Sequence, residues 1–281
     1  MKTFLDCIPC FMNQALKTSL FATDDDVKIK KVLDEVGDMV KNIPMSYSPV
    51  QNGEIVYKKI REITGVYDPY KEIKQKSIAE AKSMYDDLKQ KIEESENPLE
   101  TAIRVAIAGN VIDFGVELKF NLKEDVEKIL KQEFAVFDVE SFKKSIENAN
   151  EILYIGDNAG ESVFDKLLIE TIGKKTIYAV REIPVINDVI VQDAIDSGID
   201  EVAEIVSSGC SAPGTIIEKC NAEFKKLYNN ADVVISKGQG NYEGLSDENR
   251  QIFFMLKAKC PIIARDMNVP MGSIILKEIN K

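Results

Sequence analysis

Histidine is absent from the 281-residue chain. That excludes Ser-His-Asp and Cys-His catalytic units, His-ligated metals and a histidine general base. Any chemistry falls to carboxylates, carboxamides, lysine or arginine, hydroxyls, cysteines or a bound ion. No run approaches 18 consecutive apolar residues, so neither a membrane span nor a membrane partner is expected. The N-terminus, Met1-Lys-Thr-Phe-Leu-Asp-Cys7, lacks the apolar core of a signal peptide. Positive charge is scarce: 36 Lys+Arg against 47 Asp+Glu leave −11. A chain so acidic makes a poor binder of phosphate backbones, and no nucleic-acid partner is expected, although local donors can still hold a small anion. The five cysteines, an odd number without a leader, suit a reduced, cytoplasmic protein. With 44% hydrophobic and 30% charged residues the chain is neither disordered nor collagen-like. Its length suits one large or two modest domains.

The hydrophobic pattern divides the chain near Ala149-Asn150. Residues 1–149 read as all-helical, with helices expected over Cys10–Phe21, from a Thr23 cap to Lys41, over Val50–Thr64 after Ser48-Pro49, and over Tyr70–Ser95. A mostly apolar helix follows Asn97-Pro98 through Ala102–Gly115, and shorter ones start at Leu122 and Val139. No strand is expected before residue 150. In 150–281, short runs rich in Ile, Val and Tyr alternate with helical segments: Glu151–Gly156, Lys175–Val180, Glu201–Val206, Asp232–Ser236 and Pro261–Ala264. That alternation predicts an α/β fold, a Rossmann-like parallel sheet with helices on both faces, preceded by the helical region. There is no internal repeat and no low-complexity linker.

In such a sheet ligands bind beyond the carboxyl ends of the strands. The residues just after each run are therefore the candidates: Gly156-Asp157-Asn158-Ala-Gly-Glu161, Arg181 through Asp188, Ser207-Ser208-Gly209, Lys237-Gly-Gln-Gly-Asn241, and Arg265-Asp266. Asp157, Asn158 and Asp188 are hard oxygen donors suited to Mg²⁺ or Mn²⁺; Asp157 and Asn158 equally suit a helix cap. Lys237, Gly238, Gly240 and Asn241 form a loop that can turn backbone N–H groups and a cation toward an anion, or a simple turn. It is not a phosphate-binding Walker loop, and its glycine spacing is not that of a dinucleotide fold. Ser208 can add donors to a phosphate. Asn110 and Asp113 interrupt the apolar helix and must be hydrogen-bonded, between the two halves or toward a cleft. Cys7-Ile-Pro-Cys10 supplies too few ligands for a zinc site and reads as a structural or reducible pair; Cys210, Cys220 and Cys260 read as small apolar residues.

Cys7-Ile-Pro-Cys10-Phe11 with Gln14, Ala108-Gly-Asn110 with Asp113, Gly156-Asp157-Asn158-Ala-Gly-Glu161, Pro184-Val-Ile-Asn187-Asp188 and Lys237-Gly-Gln-Gly-Asn241 together resemble the DUF89 family, the damage-control phosphatases with an ARMT1-like metal-binding domain. The likeness is to its stand-alone, archaeal-type subfamily and runs over nearly the whole chain. It implies divalent-metal-dependent hydrolysis of small phosphate monoesters, such as sugar phosphates or damaged phosphometabolites, using Mg²⁺, Mn²⁺, Co²⁺ or Ni²⁺. By motif, Asp157, Asn158 and Asp188 would be the metal ligands, with Asp193 the rival to Asp188. Lys237 and its glycine loop would hold the phosphate. Asn110, Asp113 and Glu161 would border the cleft, with Asp113 or Glu161 accepting a proton; Asp157 is alternatively a direct nucleophile. A methyltransferase using S-adenosylmethionine and a non-catalytic metal or metabolite-binding module are the competing functions.

Overall fold

The structure is a computed structural model that describes residues 1–110 and 122–280. Three helices open the chain: α1 (Cys7–Ala22), α2 (Asp26–Val40) and α3 (Pro49–Thr64). Asp25 caps α2 by accepting Val27 N–H and Lys28 N–H, so the cap lies at Asp25 and not at the expected Thr23. Ser48 and Gln51 form a capping box at α3, with Pro49 at its first position and Gly65 in the left-handed region at its end. These helices share a core of their own built on Phe11, Ala15, Val32, Val36, Val56 and Ile60.

The single helix expected over 70–95 is two, α4 (Lys71–Lys82) and α5 (Tyr85–Glu93). At the break Ser83 Oγ donates to the Glu80 carbonyl and Met84 N–H bonds back only three residues to Ala81, which tightens and ends the turn. Next come α6 (Pro98–Gly109), α7 (Leu122–Lys131), β1 (Phe134–Phe137) and α8 (Val139–Asn148). Strand β1 corrects the all-helical expectation for residues 1–149: four residues between two helices carry too little pattern to register as a strand. The expected Asp113 lies outside the described residues.

The remainder is β2 (Glu151–Ile155), α9 (Ser162–Ile172), β3 (Lys175–Val180), α10 (Val191–Asp196), β4 (Glu204–Ser207), α11 (Ala222–Asn230), β5 (Val233–Lys237), α12 (Gly238–Leu245), β6 (Ile252–Lys257), α13 (Pro261–Met267) and β7 (Ile274–Ile279). The run Pro261–Ala264, expected as a strand, is helical because Cys260 caps it and Pro261 occupies its first position. The actual sixth and seventh strands are Ile252–Lys257 and Ile274–Ile279, both unread in the sequence.

The seven strands lie in the order β1-β7-β6-β5-β2-β3-β4. All pairs are parallel except β6 with β7. Each central strand is apolar on both faces. Tyr154, Tyr178, Ile235, Phe253 and Met255 pack beneath α4–α9, while Leu153, Ile155, Ala179, Val234 and Phe254 pack beneath α11–α13. From β2 the chain proceeds to β3 and β4 in one direction, and from β5 to β6 and β7 in the other. The order therefore reverses between β2 and β5, where the loops after the two strands diverge and open a crevice. Helices α1 and α3 cover that crevice.

Candidate active site

The loop after β2 is held by the loop after β3. Val189 N–H bonds to the Asp157 carbonyl and Ala159 N–H to the Asn187 carbonyl, so Asn158 and Asp188 face each other across an isolated antiparallel bridge. This short ladder sets Asp157, Asn158 and Asp188 side by side at the switch point. All three line one cavity of about 440 Å³. Its other walls come from α1 and α3 (Phe11, Gln14, Val50, Val56, Tyr57), from Gln239 and Gly240 of α12, and from Lys259 after β6.

Each of the three polar side chains is tethered through one terminal atom. Asp157 Oδ2 accepts Asn110 Nδ2 at 2.8 Å and Asn158 Nδ2 at 2.9 Å. Asp188 Oδ2 accepts Arg181 Nε at 2.8 Å. Asn158 Nδ2 donates to Asp157 and, at 3.0 Å, to Glu161 Oε2. Among the described residues none of the three Oδ1 atoms receives a hydrogen bond. Burial pushes the Asp157 carboxyl well above its ordinary range, reinforced by Glu161 and Asp188. Asp188 is pushed up to about 6 by burial, against the pull of Arg181. Two desolvated carboxylates and an amide with unmet oxygens form a donor set that a hard divalent cation satisfies, so the residues present fit such an ion.

Arg181, at 1% exposure, also donates to Thr215 Oγ1 and Asn241 Oδ1. Asn241 in turn bonds to Thr215 N–H and to the Gly156 and Lys237 carbonyls. Its carboxamide is thus fully engaged in joining three loops, which corrects the expectation of a substrate contact. Ser208 is corrected likewise: it is buried, with its hydroxyl accepting Cys210 N–H, and is not among the residues lining the cavity. Asp193 is brought to Lys74, at 2.7 Å, and not to Asp157.

Lys237 departs most from expectation. It is completely buried, with Nζ bonded to Glu161 Oε1 at 2.5 Å, Asp165 Oδ1 at 2.5 Å and the Ala106 carbonyl at 2.9 Å. An ammonium has three N–H donors, so none is left for a phosphate. Burial alone would lower its pKa, but Asp165 and Glu161 overcome that and hold it above the usual lysine range. Asp165 also accepts the hydroxyls of Tyr154 and Tyr178. Gly238 matters for a steric reason: at φ +75°, a Cβ there would fall 1.9 Å from Asp157 Oδ2.

Similarity to known proteins follows this geometry. The damage-control phosphatase ARMT1-like domain family matches residues 3–275. The chain belongs to that family. A damage-control phosphatase of Pyrococcus horikoshii is 36% identical across 98% of this chain and 97% of its own. One from Archaeoglobus fulgidus is 32% identical across 97% of this chain and 98% of its own. The crystal structure of a DUF89 protein from P. horikoshii superposes with a TM-score of 0.92 at 34% identity, covering all of both chains. The α/β architecture read from the sequence is therefore the architecture of the ARMT1-like family.

Asp165 is not among the candidates read from the sequence, and Arg181 figures there only as the start of a candidate loop, with no role of its own. Arg181 directly follows β3, one of the positions where ligand-site residues gather. Asp165 sits four residues after Glu161 on the otherwise buried helix α9, where a lone acid among Val163, Phe164, Leu167 and Leu168 signals a partner. Cys7 and Cys10 are free thiols that line the cavity together with Cys260, all three pushed up by burial.

Proposed function

We propose that the chain is a divalent-metal-dependent phosphatase of small phosphate monoesters, with the ion held by Asp157, Asn158 and Asp188. One observation carries this: three adjacent side chains, each tethered by one terminal atom and each presenting an Oδ1 that no described residue hydrogen-bonds, beside a cavity. When bound, the ion supplies Lewis-acid polarisation of a phosphoryl oxygen and lowers the pKa of a water. The oxygen-only donor set accepts Mg²⁺, Mn²⁺, Co²⁺ or Ni²⁺.

The protein's own residues do the rest. Arg181 fixes the Asp188 carboxylate, and the paired amides of Asn110 and Asn158 fix that of Asp157. With Lys237 committed elsewhere, the phosphate's charge falls to Lys259 and to the first turn of α12, whose N–H groups lack intrahelical acceptors. Gly240 of that turn and Lys259 both line the cavity. The remainder of the substrate lies against Phe11, Val56 and Tyr57, which keep water from the reacting centre. The relatives named damage-control phosphatases favour this reading over the methyltransferase.

Phosphate release from a panel of phosphomonoesters is the test, with chelator and with each of the four metals. Activity should vanish with chelator and return with metal. Asp157→Ala and Asp188→Ala should each lose about 10³-fold in kcat/KM, the several kcal/mol of transition-state stabilisation that a metal supplies. Full metal-dependent activity in both variants would overturn the assignment. Calorimetry with S-adenosylmethionine, expected to show no binding, separates the methyltransferase.

A further inference from the structure

Below the cavity the two carboxamides form a closed square with two carboxylate oxygens. Asn110 Nδ2 donates to Asp157 Oδ2 at 2.8 Å and to Glu161 Oε2 at 2.9 Å. Asn158 Nδ2 donates to the same two atoms at 2.9 Å and 3.0 Å. Both N–H groups of each amide are therefore used. A carboxamide has two ends of similar shape and opposite hydrogen-bonding character. With two carboxylate oxygens accepting on one side of Asn158, its NH₂ faces them and its Oδ1 is turned the other way. Glu161 is itself fixed at its second oxygen, Oε1, by Lys237. Glu161 and Lys237 are both completely buried, and neither is among the residues lining the cavity.

We infer that Glu161 is a positioning residue of the metal site, which locks the Asn158 carboxamide with its oxygen toward the ion, and that Lys237 acts through Glu161 and not on the phosphate. The inference rests on the proposed metal set. It assigns both residues a role distinct from proton transfer or phosphate contact. Without Glu161 the Asn158 amide keeps one acceptor, Asp157 Oδ2, and is free to rotate. Its oxygen is then no longer committed to the ion. Outer-shell partners of this kind affect metal affinity by about 10–100-fold.

Two isosteric substitutions separate orientation from charge. Glu161→Gln and Asp165→Asn each remove one of the two carboxylates that contact Lys237, and each leaves the other to balance it. Only Glu161 touches the amides. Mn²⁺ titration of the metal-free protein at pH 7.5, by calorimetry or by the loss of free-ion electron spin resonance signal, reads the site without turnover. Glu161→Gln should weaken Mn²⁺ binding about 10–100-fold, while Asp165→Asn stays within about threefold of the wild type, both remaining folded by circular dichroism. Equal losses in the two variants, or wild-type affinity in Glu161→Gln, would overturn the inference. Lys237→Arg adds a second arm. Weakened Mn²⁺ binding supports action through Glu161; unchanged Mn²⁺ binding with loss only of inorganic phosphate binding to the loaded enzyme refutes it. Absence of Mn²⁺ binding by the wild type would instead sink the proposed metal set.

Discussion

Two groups of buried carboxylates lie on either side of the loop after β2, and they are built on opposite principles. In one, Glu161 and Asp165 share a single ammonium, Lys237, and every carboxylate oxygen has a hydrogen-bond partner within the protein. In the other, Asp157 and Asp188 are each restrained through one oxygen while the second faces the cavity. The residue types are the same. Each group has one buried cation for two carboxylates, Lys237 in the closed group and Arg181 in the open one. The open group differs in leaving carboxylate oxygens without a donor among the described residues, which is what suits it to the proposed cation. What distinguishes scaffold from site is the number of unmet acceptors, not the density of charge.

Breaking the closed group should cost the most. Lys237→Met leaves Glu161 and Asp165 buried without a cation, and should destabilise the fold by about 3–5 kcal/mol, measured by urea denaturation. A loss under 1 kcal/mol would mean the two groups do not differ in the way described. Gly238→Ala strikes the boundary between them. Its positive φ and the Asp157 carboxylate leave no room for a methyl group, so a loss of about 1–3 kcal/mol is expected from backbone strain. Weaker Mn²⁺ binding should accompany it, since Asp157 must move.

A pH dependence sharpens the comparison further. Asp165 is pushed up to about 6, chiefly by burial and against the pull of Lys237. Its folded pKa thus lies above the unfolded value near 4, so the folded state holds the proton more tightly. The contribution of Asp165 to stability is most favourable below pH about 4 and declines as pH rises to about 6. Compared with Asp165→Asn, the wild type should therefore lose stability across that window and run parallel above it. Denaturation at a series of pH values reads this, and parallel curves throughout would count against it. The smallest effect belongs to Asp193, the carboxylate that competes with Asp188 on paper. It pairs with Lys74, which Asp68 also holds at 2.9 Å. Asp193→Asn should cost about 1 kcal/mol and leave Mn²⁺ affinity unchanged.

Legibility in the sequence followed the length and isolation of each signal only in part, since the apolar run Ile252-Phe-Phe-Met-Leu256 of β6 went unread. Strands β2, β3 and β5 are continuous apolar runs bounded by turns, and their ends pointed to Asp157, Arg181 and Lys237. Strand β1 is four residues long, and in β7 the apolar run Ile274-Ile-Leu276 is only three residues before Lys277-Glu278, so neither repeats the longer apolar runs of the central strands. Pro261-Ile-Ile-Ala264 shows the converse: a short apolar run is equally at home in a helix, and the proline at its first position decided for the helix. At the site, Asp157, Asn158 and Asp188 were legible because they follow strand ends. Lys237 was legible as a position but not as a role, because one residue's sequence neighbours do not reveal which carboxylates reach it from α9.

Composition and local period are enough to establish that this protein works without imidazole, that it folds as an α/β sheet, and that oxygen donors gather at one edge of it. Which charged groups neutralise each other and which stay open is set by packing between distant parts of the chain. Lys237 meets Glu161 and Asp165 across 76 and 72 residues of chain, and Asn110 meets Asp157 across 47. A hydrogen bond depends on distances of a few tenths of an ångström between side chains, and strand order, not sequence order, sets those distances.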